Sequence, residues 1–369
     1  MSRIYENGYR IVYPNELAYA GMPAIVRVSN LGASYLGVGL TIQVGDAYYS
    51  EVRTLHNGEA TFDISRYMQL AFDGKPMEFE FGTRNQIQKN NLAQDVSVVV
   101  QLSRTNGSDT ALQFNVKALL GYIAYGQTNG GVRYRKLFAN YPQTFDFYCT
   151  PSTDISLVFD GGDVQVITYR DDITRVEQLS VELSRWWSVP EDARTAVLAA
   201  NNTLGLYCDN VVEGDSEYRL TIDRCKSGVF LRWLDHFGQW CYYLFRTTGQ
   251  NFTTKEVNTW QNGELRNSAE PSDYVVQSSD FLQQQLSQQH TLSLGAKLVD
   301  ADTFDFLLSL TSSPRVEMLI NAEEYQDDNT TTPIWERVNI VAGSYARTGA
   351  PLQDFVVSIA RTAQKTQML

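Results

Sequence analysis

The stretch Cys225-Lys226-Ser227-Gly228-Val229-Phe230-Leu231-Arg232-Trp233-Leu234-Asp235-His236-Phe237-Gly238-Gln239-Trp240-Cys241-Tyr242-Tyr243-Leu244-Phe245 reads as a hairpin of two strands apolar on both faces. Val229, Leu231 and Trp233 share one face, Phe230, Arg232 and Leu234 the other, and Asp235 to Gly238 reverses the chain. So apolar a pair belongs in the middle of a sheet. Arg232 in that company requires a partner for its guanidinium.

Outward from the hairpin, 369 residues exceed what one hydrophobic core organises, so two or three domains are expected. Aromatics make up 12% of the chain, mostly tyrosine and phenylalanine, which favours pleated sheets with large cross-strand side chains. A net charge of −12 opposes a sequence-independent grip on nucleic acid, which needs Lys and Arg to replace phosphate counterions. The most basic run, Arg133-Tyr134-Arg135-Lys136, reads as one solvated face of a strand.

The start, Met1-Ser2-Arg3-Ile4-Tyr5-Glu6-Asn7-Gly8, has no apolar signal region, and no segment reaches about eighteen uninterrupted apolar residues. Synthesis in the cytoplasm without a membrane span is therefore expected. Cys225 and Cys241 fall on the paired strands of the hairpin, where a cross-strand disulfide competes with buried thiols. The low cysteine count favours thiols, and no Cys-x-x-Cys spacing suggests zinc.

Periodicity divides the chain into three blocks. Residues 1–120 carry short strands at Tyr9 to Val12, Ala24 to Val28, Tyr35 to Val44, Ala47 to Val52, Glu78 to Gly82, Val96 to Leu102 and Ala111 to Val116, a β-sandwich-like pattern. A helix capped by Asp63 interrupts them at Ile64 to Ala71. Residues 121–215 form a second β-rich, sandwich-like block, with strands at Val132 to Phe138, Thr144 to Cys149, Ile155 to Phe159, Val164 to Tyr169 and Arg175 to Leu183. It closes on a helix from Ala193 to Ala200, introduced by the capping box Ser188-Val189-Pro190-Glu191. Residues 216–369 form an α+β block. Its helices are expected over Ser279 to Gln289 and Asp302 to Leu310, the latter capped by Asp300 or Asp302, and its strands over Tyr218 to Ile222, Glu256 to Trp260, His290 to Leu298, Arg315 to Ile320, Ile334 to Ile340 and Asp354 to Ile359.

Chemistry is sparse. His56, His236 and His290 lie in no nucleophile motif, and His236 reads as an exposed turn residue beside Asp235. Asp171, Asp172, Glu177 and Glu182 are the carboxylates nearest to a glycosidase pair, which needs two acids across a sugar cleft. Glu323 to Asn329 concentrates oxygen ligands but lacks the calcium-loop pattern, and reads as a solvated loop. No catalytic residue, metal site or cofactor is expected. Adjacent tryptophans on a strand point to opposite faces, so one of Trp186 and Trp187 fills a core and the other can stack a glycan or anchor a partner.

The hairpin, with its Gly-aromatic-Leu-Arg-Trp strand and aromatic return ending in Leu244-Phe245, resembles tail and baseplate structural proteins of Bacteroidetes phages and prophages. Leu292-Ser293-Leu294-Gly295-Ala296, Ser312-Ser313-Pro314-Arg315-Val316, Trp335-Glu336-Arg337-Val338-Asn339-Ile340, Leu352-Gln353-Asp354-Phe355-Val356-Val357 and the earlier Gly58-Glu59-Ala60-Thr61-Phe62-Asp63-Ile64-Ser65-Arg66-Tyr67 are similar to the same proteins. The resemblance implies a non-enzymatic virion subunit that assembles with itself, as a homo-oligomeric ring, and with other virion proteins. It carries over packing motifs and no catalytic residue. Polar loops at Thr83 to Asn91, Asn262 to Asp273 and Tyr325 to Pro333, above all Gln326, Asp327, Asp328 and Asn329, are the expected inter-subunit contacts. The alternative is a carbohydrate-binding β-sandwich protein using Trp186 or Trp187, with a glycoside hydrolase third.

Overall fold

A computed structural model describes residues 2–6, 8–75, 87–123, 127–151, 153–162, 164–168, 176–183, 189–207, 210–262, 265–267, 274–276, 280–327, 331–361 and 364–365. The chain is mainly β. It divides into two compact units, the first made of Met1–Lys226, Leu234–Tyr243 and Asn321–Pro333, the second of Ser227–Trp233, Leu244–Ile320 and Ile334–Leu369.

In the first unit, the early chain forms β1 (Ser2–Glu6), β2 (Tyr9–Tyr13), β3 (Leu17–Tyr19), β4 (Ile25–Ser29), β5 (Tyr35–Val44), β6 (Ala47–Thr54), β7 (Ala60–Asp63), α1 (Ser65–Leu70), β8 (Ile87–Lys89), β9 (Ala93–Arg104) and β10 (Gly107–Leu119). Two sheets result, ordered β1-β2-β4-β7 and β3-β10-β9-β5-β6. They share one core, in which Ile11, Val26, Val28 and Phe62 of one sheet join Val38, Leu40, Ile42, Val96, Val98 and Val100 of the other. Alternation in β5 and β9 puts every second residue into that core, each worth about 1.5–3 kcal/mol on burial. Asn57 and Gly58, both at positive φ (53° and 75°), make the tight turn between the bridged His56 and Glu59. Helix α1 starts one residue later than expected: Ile64 holds the N-cap position, while Asp63 Oδ1 accepts from Ser65 N (3.0 Å) and Ala24 N (3.1 Å). The expected strand Glu78 to Gly82 and the start of the Thr83 to Asn91 loop lie outside the described residues, and the rest of that loop contains β8.

Further strands are β11 (Val132–Phe138), β12 (Thr144–Cys149), β13 (Asp154–Phe159), β14 (Val164–Thr168), β15 (Glu177–Glu182), β16 (Thr195–Tyr207) and β17 (Asn210–Asp223). They form a sheet ordered β11-β17-β16-β12-β15-β8, with β13 pairing β14 and β16. Its core includes Phe145, Phe147, Leu157, Phe159, Leu179 and Leu198. The helix expected over Ala193 to Ala200 is instead the start of β16. Ala196, Leu198 and Ala200 recur with period two into the core, and pairing to both β13 and β17 outweighs alanine's helix preference. Strand β17 runs across position 215/216.

The remaining elements are β18 (Val229–Leu234), β19 (Trp240–Asn262), β20 (Leu265–Asn267), β21 (Tyr274–Val276), β22 (Asp280–Val299), α2 (Ala301–Leu308), β23 (Val316–Leu319), α3 (Ala322–Asp327), β24 (Trp335–Ile340), β25 (Gln353–Ala360) and β26 (Gln364–Lys365). In the second unit the order β19-β18-β23-β24-β25-β22 returns to β19 through β19–β22 pairing, so the sheet closes on itself. Trp233, Phe245, Leu294, Phe304, Leu307, Phe355 and Val357 are buried there, and Trp233 Nε1 donates to Ser309 Oγ at 2.9 Å. Helix α2 is capped by Asp300, whose Oδ1 accepts from Thr303 N at 2.8 Å. The glutamine-rich segment expected as a helix, Ser279 to Gln289, belongs to β22. Its ladder with β19 extends the pairing already set at Arg246 to Asn251, and that register overrides the helical spacing of Phe281, Leu282 and Leu286.

Candidate functional site

Strand β12 sends Phe145, Phe147 and Cys149 into the apolar core and Thr144, Asp146 and Tyr148 to its other face. Beside them on β15, Gln178, Ser180 and Glu182 do the same, so this second face is polar yet buried. Asp146 lies at its centre. Oδ1 accepts from Ser180 Oγ (2.5 Å) and Asn90 Nδ2 (3.4 Å), and Oδ2 from Trp240 N (3.3 Å). Its carbonyl accepts from Tyr218 OH (2.9 Å) and Arg133 Nη2 (3.3 Å). The Arg133 guanidinium lies 3.9 Å from the Tyr218 ring centroid and donates to Gln239 Oε1 at 3.0 Å.

Asp235 is the second buried acid. Its Oδ1 accepts from Phe237 N and Gln239 N, both at 2.9 Å, and Cys241 Sγ lies 3.7 Å from Oδ2. Burial pushes the Asp146 carboxyl up to about 6, against the opposing hydrogen bonds from Ser180 and Trp240. Burial likewise raises Asp235 and lifts the Cys241 thiol well above its usual range. A cavity of about 20 Å³ beside Tyr218 and Gln239 has room for about one water. This cluster can hold protons and fix the tip of the hairpin, but it offers no space for a substrate. Among the described residues, no group of three or more His, Cys, Asp or Glu could hold a metal.

The basic run expected as a solvated face is therefore corrected. Arg133 and Arg135 are only partly exposed, and their positive charges oppose the upward pKa shifts of Asp146 and Asp235 respectively. His236 is not an exposed turn residue either: its half-buried ring packs on Phe237 (3.9 Å between centroids) and Tyr122 (5.6 Å).

In the second unit, β19 and β22 continue beyond the closed sheet. From Glu256↔Leu286 to Asn262↔Asp280 they pair with each other, and among the described residues no third strand joins them there. This ribbon is about 20 Å long at ~3.3 Å per residue. At its root Phe252 stacks on its register partner His290, with centroids 4.3 Å apart and planes 8° from parallel. Strands β20 and β21 pair with each other farther along the same excursion.

Of the residues singled out in the sequence, Trp186 and Trp187 lie outside the described residues, as do Asp171, Asp172, Asp328 and Asn329. Gln326 and Asp327 belong to α3, not to an extended loop. Tyr325 is buried, Gln326 Nε2 donates to Lys226 O (3.2 Å), and Asn321 Nδ2 closes the segment onto Thr332 O (2.9 Å). Glu177 is engaged by Lys117 at 3.1 Å, and Glu182 is fully buried. Part of the expected Asn262 to Asp273 loop is β20. Cys149, Cys225 and Cys241 are thiols outside any disulfide. Among the described residues, no helix is long and apolar enough to cross a membrane. The ribbon escaped the sequence reading because its glutamines and spaced apolar residues mimic a helical face, and no local signal in Asp280 to Gln289 separates strand from helix.

No protein-family model matches the chain, and no curated protein matches it. Among solved structures, it is similar to part of a 1.5-MDa bacterial ice-binding adhesin (10% identity over 63% of this chain and 80% of that one, TM-score 0.16). It is also similar to fibronectin(III)-like modules of Clostridium thermocellum CbhA (10%, 58% and 94%, TM-score 0.18) and a titin Ig tandem (9%, 60% and 100%, TM-score 0.21). Superpositions this poor carry no argument about fold or function.

Proposed function

We propose that this chain is a non-enzymatic structural subunit, of the tail or baseplate type in a phage virion, that joins copies of itself and other virion proteins. On this reading it comprises two sandwich-like domains followed by a sheet-and-helix domain. The ribbon of β19 and β22 carries the argument. Its sequence includes Val257, Trp260, Phe281, Leu282 and Leu286, and a two-stranded ribbon has no core of its own and is marginal in water. An element of that kind gains stability by lying against another protein. The residues of the phage-like motifs support the same reading, because Leu231, Trp233, Leu294, Val316, Val338, Phe355 and Val357 are all buried packing residues.

The test replaces residues 256–286 with a two-residue turn and measures mass by light scattering across concentration, with electron microscopy of the same fractions. The intact chain is expected to form defined oligomers and the shortened one to remain folded but monomeric. An intact chain that stays monomeric at every concentration, or a shortened one that assembles unchanged, would overturn assembly through the ribbon.

A further inference from the structure

The β3-β10-β9-β5-β6 sheet has one face on the core of the first unit and the other outside it. Register places Tyr48, Gln43, Ser97 and Asn115 in one row across the outer face of β6, β5, β9 and β10. The next rows are Ser50, Thr41, Val99 and Gln113, then Val52, Gly39, Gln101 and Thr110, then Thr54, Gly37, Ser103 and Ser108. No side chain in these rows carries a charge, in a chain whose net charge is −12. Solvent-facing strands are ordinarily rich in charged residues, which also guard against unwanted pairing. Charges appear only at the margins, where Lys117 is paired with Asp95 (3.0 Å) and Arg104 with Asp109 (3.2 Å), while Glu51 and Arg53 alternate to the opposite face.

We infer that this face binds an uncharged carbohydrate. Among the described residues, Gln101, Gln113 and Asn115 make no side-chain hydrogen bond, so each offers an amide donor pair and an acceptor. Such amides match sugar hydroxyls, which both donate and accept. Tyr48, 67% exposed, presents a ring at the edge of the rows, suited to stacking on the apolar face of a pyranose. Where Gln43, Ser97, Gln113 and Asn115 end, a groove of about 860 Å³ continues the surface, within the range of small-ligand sites. Asp46, Asp73 and Asp95 also line it against the single cation Lys75, and this net negative charge disfavours anionic sugars. The inference does not depend on the assembly proposed above.

Affinity electrophoresis of the full chain through starch, mannan, galactomannan and mixed-linkage β-glucan, with alginate and hyaluronan as anionic probes, tests it. At least one neutral polymer is expected to retard the protein. Tyr48→Ala and Gln113→Ala should each weaken that binding by about tenfold, the equivalent of one lost stacking or hydrogen-bonding contact. Tyr134→Ala, which removes another exposed tyrosine on a different sheet, should leave it unchanged. Circular dichroism melts of all three variants verify folding. Retardation by none of the neutral polymers, retardation by the anionic ones alone, or full affinity in both Tyr48→Ala and Gln113→Ala would overturn the inference.

Discussion

Arg232 and Glu317 are register partners on β18 and β23, with the arginine's Nε and Nη2 at 2.6 and 2.5 Å from one carboxylate oxygen while both residues are almost fully buried. Arg315 Nε takes the other oxygen at 2.6 Å, and the Trp335 ring lies 4.1 Å from the Arg232 guanidinium. The arginine that the hairpin sequence made conspicuous thus has its counter-charge directly across the sheet. Removing one partner leaves a buried charge uncompensated. Glu317→Ala should therefore lower unfolding stability by about 3–5 kcal/mol, whereas the apolar pair Arg232→Met with Glu317→Leu should recover most of that loss. Urea unfolding of the three proteins checks this, and equal losses in the single and double variants would refute it.

The buried acid Asp146 predicts a pH dependence of definite sign. Its pKa in the folded chain is shifted up to about 6 from an ordinary value of 3.8, so between those values the folded chain binds more protons than the unfolded one. Stability contributed by this group is greatest below that window and declines as pH rises through it, by about 3 kcal/mol in total. Asp146→Asn cannot titrate. Its stability relative to the native chain should improve by most of that amount, about 2 kcal/mol, between pH 4 and pH 7, whatever constant penalty comes from placing an amide against Trp240 N. Chemical denaturation at both pH values checks the difference, and a parallel pH course in the two proteins would contradict it.

How far the fold was legible depended on whether local signal and long-range pairing agreed. At β5 and β12 the alternation gave the strand limits residue for residue, because each strand keeps one apolar face on a core, and at β11 the limits also agreed although only Leu137 and Phe138 are buried. Thr195 to Ala200 and Asp280 to Gln289 failed for the opposite reason: alanine and glutamine favour helices locally, and only distant partners impose the strand. The outer face of β5, β6, β9 and β10 was invisible in sequence. Its rows join residues as far apart as Gln43 and Asn115, and register alone brings them side by side.

Thiol chemistry offers a separate check. Burial pushes Cys149 up to about 12 and Cys241 well above its usual range, while Cys225 is only partly buried. At pH 8 about one Cys149 in ten thousand is a thiolate, and the reagent must also reach it. Iodoacetamide should modify Cys225 in the native chain and leave Cys149 and Cys241 unmodified until denaturant is added, as read by peptide mass spectrometry. Rapid native labelling of Cys149 would contradict its burial.

Gly238 closes the turn of the hairpin at φ +71°, and a Cβ there would collide with the Leu120 carbonyl in the first unit. Both the backbone conformation and the missing side chain are therefore required. Gly238→Ala should cost at least about 2 kcal/mol, more than the strain of positive φ alone, because the tip must withdraw from Leu120. An alanine variant as stable as the native chain in thermal and urea unfolding would rule out this close approach.

The ribbon makes the last prediction. From Glu256 to Asn262 and from Asp280 to Leu286 the described backbone hydrogen bonds join only two strands, whereas Thr291 to Ala296 of β22 is held between β19 and β25. Local opening draws first on segments with few supporting contacts. Hydrogen exchange on the isolated chain should therefore find 256–262 and 280–286 exchanging at least about a hundredfold faster than 291–296, the equivalent of a difference near 3 kcal/mol in opening free energy. On assembly the two segments should become protected while 291–296 changes little, because among the described residues no third strand joins the ribbon, whereas 291–296 already lies between β19 and β25. Uniform protection along β22 in the isolated chain would mean the ribbon is stable alone, and its need for a neighbour would fall with it.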